Sequence, residues 1–130
     1  MAVCVVVTLQ RLIFLKERNG LSERINVPVF MSISKHAPEN CPAFSEKHRK
    51  STLELLDKME SLAKKHGVKM LGSWTDFPQH LVYMVLEGDF DAIQKLQMEP
   101  KLMEWLSFNT METKTVLKNK EVLAMLKKAK

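Results

Sequence analysis

Val68-Lys-Met-Leu-Gly-Ser-Trp-Thr75 and His80-Leu-Val-Tyr-Met-Val-Leu-Glu87, joined by Asp76-Phe-Pro-Gln79, decide the fold of this chain. Both runs are rich in the residues that fit a pleated surface, and four residues between them are enough only to reverse direction. They read as an antiparallel hairpin. With that loop, Thr75 is expected opposite His80 and Ser73 opposite Val82. Strand parity then puts Ser73, Thr75, His80, Val82 and Met84 on one face. Met70, Gly72, Trp74, Leu81, Tyr83 and Val85 fall on the other, the expected helix-facing core.

Upstream of the hairpin, Ser45 is placed to cap a long helix. Leu53, Leu56, Met59, Leu62 and Ala63 recur three or four apart along it, and Gly67 is a C-terminal stop. Before that helix, Val29, Met31 and Ile33 alternate with Phe30, Ser32 and Ser34, the period of a half-buried strand. The strand ends in His36-Ala-Pro-Glu-Asn-Cys-Pro42, where two prolines and an asparagine force a loop. Downstream, Gly88-Asp89 breaks the hairpin and opens a helix through Phe90, Ile93 and Leu96, and Pro100 begins a short turn to Leu106. Thr110 to Leu117 reads as a last strand, and Asn119 opens a final helix through Val122, Leu123 and Leu126.

The order from Val27 is β-α-β-β-α-β plus a terminal helix, an α+β, ferredoxin-like arrangement with a four-stranded antiparallel sheet. Right-handed crossovers centre the first and third strands and put the helices on one face. Residues 27–118 form this domain and 119–130 the C-terminal helix. Residues 1–26, an apolar stretch followed by a charged one, are an extension of uncertain structure.

The chain has 130 residues, 45% hydrophobic and 27% charged, which suits one globular domain and excludes wholesale disorder. The apolar run Val3 to Val7 is too short to span a bilayer. Arg11 and Lys16 lie within and after the apolar stretch, the wrong place for the charge of a signal peptide. Two cysteines, Cys4 and Cys41, are too few for a disulfide framework, so a reducing, cytoplasmic setting is expected. Net charge is +5, but from Val27 onward 16 basic residues are nearly balanced by 13 acidic ones. The sheet lacks the row of aromatics on which RNA-recognition modules stack bases, which argues against nucleic acid.

The loop His36-Ala-Pro-Glu-Asn-Cys-Pro42, with Gly67-Val-Lys-Met-Leu-Gly-Ser-Trp74 and Tyr83-Met-Val-Leu-Glu87 after it, resembles a family of small prokaryotic proteins. Its members carry a His-x-Pro-Glu-x-Cys-Pro segment after the first strand, belong to the dimeric α/β-barrel group, and constitute a domain of unknown function. The resemblance covers residues 27–118. It implies a homodimer with sheet packed on sheet, and it selects no reaction, because that group includes monooxygenases, isomerases, haem-degrading enzymes and metal-binding proteins.

The topology turns scattered residues into neighbours. His36 and His80 fall at one edge of the sheet, on adjacent strands, and Ser32, Ser34 and His36 share a face with Ser73, Thr75, Val82 and Met84. That face is expected to hold a cavity under the partner's sheet or under helices, with those serines, Thr75, Val82 and Met84 lining a small-molecule site. His36, His80 and the thiol of Cys41, with Glu39 as a further oxygen donor, form a candidate transition-metal site. The spacing His36-x4-Cys41 matches no standard zinc pattern. A stiff loop with Cys41 as a small buried hydrophobe explains the same residues. Alternatively, His36 and His80 serve as acid–base groups, since imidazole titrates near neutrality. The expected protein is therefore a small-molecule- or metal-binding domain. The alternative is a cofactor-independent enzyme of the monooxygenase or isomerase type. His48 and His66 are expected on the surface.

Overall fold

A computed structural model describes residues 27–129 of the chain. The expected extension over residues 1–26 lies outside the described residues. The elements are β1 (Val29–Lys35), a 3-10 turn (Pro38–Asn40), α1 (Glu46–Lys65), β2 (Lys69–Asp76), β3 (Leu81–Glu87), α2 (Phe90–Gln97), α3 (Pro100–Leu106), β4 (Thr110–Val116) and α4 (Asn119–Lys128). The strands form one antiparallel sheet in the order β2-β3-β1-β4. This is the expected ferredoxin-like α+β fold, with β1 and β3 at its centre.

Local chemistry sets the helix ends. Ser45 accepts a hydrogen bond from the His48 amide at the start of α1. At its end Gly67 adopts φ +72, which lets its amide reach the Lys64 carbonyl and the Val68 amide reach the Ala63 carbonyl. That pair of bonds satisfies the last helical carbonyls, and a left-handed glycine is the residue it requires. The buried stripe of α1 runs through Ser51, Leu55, Met59 and Ala63, one residue per turn. Leu53 and Leu56, expected in the stripe, are exposed instead. A 20-residue helix on a twisted sheet buries a narrow i, i+4 row, and the flanking leucines are left outside it.

The hairpin register differs from expectation by two residues. β3 starts at Leu81, so Thr75 pairs with Val82 and Ser73 with Met84, and His80 belongs to the turn. A two-residue shift preserves parity, and the face grouping survives. An irregularity between Met70 and Gly72 puts Leu71 out of the ladder and turns Met70 toward the core with Leu86.

What reverses is which face the helices cover. Phe30, Met84 and Leu86 pack with Leu55, Met59, Ala63, Ile93, Leu96, Leu102 and Trp105 in one core, with Val82 beside them. Ser32 and Ser34 are buried under the same helices, and Ser32 shares a hydrogen bond of 3.1 Å with Thr113. Ser73 and Thr75, on the outer strand β2, are exposed. The face carrying these six residues is thus the helix-packed face, not a cavity beneath an opposing sheet. The open face carries Met31, Ile33, Tyr83 and Val85 on the central strands and Trp74 on β2. Trp74 and Tyr83 add the most apolar area per residue, yet both tolerate partial exposure, so residue size misjudged the direction of the core. Two small serines, by contrast, allow helices to approach the centre of the sheet.

Candidate functional site

The continued β1 register explains the site. Lys35 pairs with Leu81 on one side and Thr110 on the other, so the next residue, His36, faces His80 and Asn109. The His36 amide donates to the His80 carbonyl at 3.4 Å, which extends the ladder one step. His36 shares the parity of Ser32 and Ser34 and points to the helix side, where it is buried.

His80 closes the hairpin turn, its amide donating to the Phe77 carbonyl at 3.2 Å. Its φ is +57, the only positive value at a non-glycine among the described residues. A side chain in that region costs about 1 kcal/mol, and such conformations gather where geometry serves function. The imidazole is thereby brought to His36, with ring centroids 5.2 Å apart and planes at 70°.

Cys41 is held by backbone on both sides. Its amide donates to the Pro38 carbonyl, and its own carbonyl accepts from the Phe44 and Ser45 amides, both at 2.9 Å. Pro42 restricts Cys41 to the extended backbone it adopts. From α1, Arg49 clamps the loop by donating to the Pro42 and Ala43 carbonyls, each at 2.8 Å. The result is a free thiol that is 2% exposed and faces the histidines. One ligand atom from each of His36, Cys41 and His80 lies within 4.8 Å of the other two. Glu39 is exposed in the 3-10 turn and is outside this group, because a three-residue turn that aims Cys41 inward aims Glu39 away.

Asn109 fixes the chemistry of His36. Its amide nitrogen donates to the Trp105 carbonyl at 3.0 Å, which leaves its oxygen to accept from His36 Nδ1 at 3.2 Å. The proton then sits on Nδ1, and Nε2 presents a lone pair. Burial pushes the His36 pKa below the ordinary histidine value; the Asn109 bond opposes this, and His80 and His48 reinforce it. The ring is neutral at physiological pH, the state a ligand or a general base needs. Yet, among the described residues, His36 Nε2 and His80 Nδ1 are both buried without a hydrogen-bond partner. Two unpartnered ring nitrogens facing one thiol are costly unless something binds between them.

His48 is a further correction. It is half-buried, stacks on Phe108 at 4.0 Å and 13°, and donates from Nδ1 to the Asn40 carbonyl at 3.1 Å. It ties the loop before Cys41 to the residue before Asn109. His66 is also half-buried, against Glu99. Neither Asn109 nor His48 was found by sequence reasoning. Asn109 had a signal, since the β1–β4 register places it across from His36, while His48 was expected only on the surface.

Beside the group lies an open depression of about 720 Å³, lined by both histidines, Asn109, Phe108, Pro38 and Pro78 among others. Two things are chemically within reach: coordination of a soft or borderline metal by two imidazoles and a thiolate, and proton transfer by an imidazole at a pocket wall.

A family model matches residues 29–130. The chain belongs to DUF3303, a domain of unknown function. No curated protein matches the chain. Among solved structures the chain is similar to the crystal structure of PA3566 from Pseudomonas aeruginosa, at 13% identity and a TM-score of 0.42, over 74% of this chain and all of that one. Among the described residues of this DUF3303 domain, no helix is long and apolar enough to cross a membrane.

Proposed function

We propose that this DUF3303 protein binds a transition metal through His36 Nε2, Cys41 Sγ and His80 Nδ1. The observation that carries the proposal is the convergence of one donor atom from each of these residues within 4.8 Å, together with a buried nitrogen on each imidazole that has no partner among the described residues. Asn109 is a positioning residue, holding the His36 tautomer as the outer partners of ligating histidines do. A ligating thiolate suits a reducing compartment such as the cytoplasm. Elemental analysis of untagged protein purified without chelator tests the proposal. One metal per chain is expected, with none in a folded His80→Asn variant, whose new side chain tolerates the positive φ. Equal metal in both proteins contradicts the assignment.

The depression beside the histidines supports a second use of the same groups, acid–base chemistry on a small organic substrate without a cofactor. It gains weight if metal-free protein binds small organic molecules at that depression and His36→Ala abolishes the binding.

The open sheet face supports a homodimer. Trp74 is 60% exposed there, with Met31, Ile33, Tyr83 and Val85 around it, and the opposing sheet of a second copy would cover all five. Light scattering should give twice the chain mass for the parent and the chain mass for Trp74→Glu.

A further inference from the structure

The donor set and its surroundings say which metal. Two imidazoles and one thiolate meet here, and no carboxylate and no second thiolate belongs to the group among the described residues. Hard cations such as magnesium and calcium take oxygen ligands and have none in this group. Zinc completes four-coordination: structural sites supply four protein ligands, and three-ligand sites leave a position open to water. Neither fits well, because the group supplies three ligands while both ring nitrogens are shielded from solvent and Cys41 is 2% exposed.

For a given bond length, a trigonal plane also spreads three donors farther apart than a tetrahedron does. Bonds of roughly 2.0–2.3 Å put the donors of such a plane about 3.5–4 Å apart. The observed group, all within 4.8 Å, is compatible with that spacing. Trigonal coordination by two histidines and one cysteine is the arrangement that copper adopts in electron-transfer sites. On the foundation of the metal-binding proposal above, we infer that the site selects copper, held in a trigonal plane by His36, Cys41 and His80. Cu(II) bound there accepts one electron to become Cu(I), with no bond made or broken.

The test uses the full chain, stripped of metal and titrated separately with Cu(II) and with Co(II) as a spectroscopic stand-in for zinc. One equivalent of Cu(II) is expected to raise an intense visible thiolate-to-copper charge-transfer band. Ascorbate, as one-electron donor, should bleach that band, and reoxidation should restore it. Cys41→Ser, which leaves Cys4 in place, should lose it, and so should His80→Asn. Stoichiometric Cys41-dependent Co(II) binding without any copper charge-transfer band overturns the copper inference and leaves the metal site standing. Binding of neither metal overturns both.

Discussion

The protein half-buries or buries imidazoles at two places and treats them in opposite ways. At the C-terminal end of α1, His66 Nε2 lies 2.6 Å from Glu99 Oε1, and Lys65 Nζ donates to the same oxygen at 2.9 Å. A depression of about 520 Å³ lies beside this cluster too. Lys65 and His66 hold the Glu99 carboxyl below its ordinary pKa, through the hydrogen bond from Lys65 first and that from His66 second. At the end of β1, among the described residues, His36 and His80 meet no carboxylate, and a buried nitrogen on each is left without a partner. One cluster is closed on itself and ties α1 to the start of α3; the other leaves buried ring nitrogens available to a ligand. Burial of a histidine beside a pocket is common to both, so the difference lies in the unpartnered ring nitrogens and in the thiol beside them.

The comparison breaks first at the ligands. Cys41→Ser or His80→Asn should weaken metal binding at least ~100-fold, measured by competition with a chromophoric chelator. Because His80 occupies a left-handed position, His80→Asn should keep the stability of the metal-free parent within about 1 kcal/mol by urea denaturation. Unfolding of that variant would assign His80 a structural role and remove the contrast.

Metal itself should come next. Free metal at about 100 times its Kd should add about 2.7 kcal/mol of stability, a rise of roughly 10–20 °C in Tm for a domain of this size. A chelator should reverse the rise, and an unchanged Tm would indicate no binding to the native state.

Asn109 offers a finer probe. Asn109→Leu should lower metal affinity by about 10–100-fold while the ligands remain, because the His36 tautomer is no longer held. An affinity equal to the parent's would show that the His36–Asn109 bond only packs the loop.

The smallest effect belongs to the closed cluster. Glu99→Gln should lower Tm slightly at neutral pH and leave metal binding unchanged. The sign follows from the depressed carboxyl: its stabilisation is present above the ordinary glutamate pKa and is lost as pH falls through the lower, folded value. The Tm difference between parent and Glu99→Gln should therefore shrink toward zero in acid. A difference that grows in acid would contradict the ion-pair account.

Much of this fold is legible in local sequence. Ser45 and Gly67 mark the ends of α1, Asp76-Phe-Pro-Gln79 marks the hairpin, and the β-α-β-β-α-β order follows from them. His36 and His80 are neighbours in the sequence reading because the topology puts the end of β1 and the start of β3 at one edge, and the two-residue register shift keeps them there. The covered face was not legible. Alternation specifies two faces but not which one the helices choose, and Trp74 and Tyr83 outweighed Phe30, Met84 and Leu86 in that judgement. Ser32, Ser34 and Met84 are accordingly buried under helices, with Val82 partly buried beside them, where they support the strands that carry the histidines. The outward turn of Glu39 and the reach of Asn109 depend on loop geometry that no period encodes.

X-ray absorption at the metal edge, on full-length protein loaded with one equivalent of copper, tests the central claim most directly. The account predicts a first shell of two nitrogens at about 2.0 Å and one sulfur at about 2.3 Å, with the sulfur absent in Cys41→Ser. A shell of nitrogen and oxygen alone, unchanged by Cys41→Ser, would contradict it.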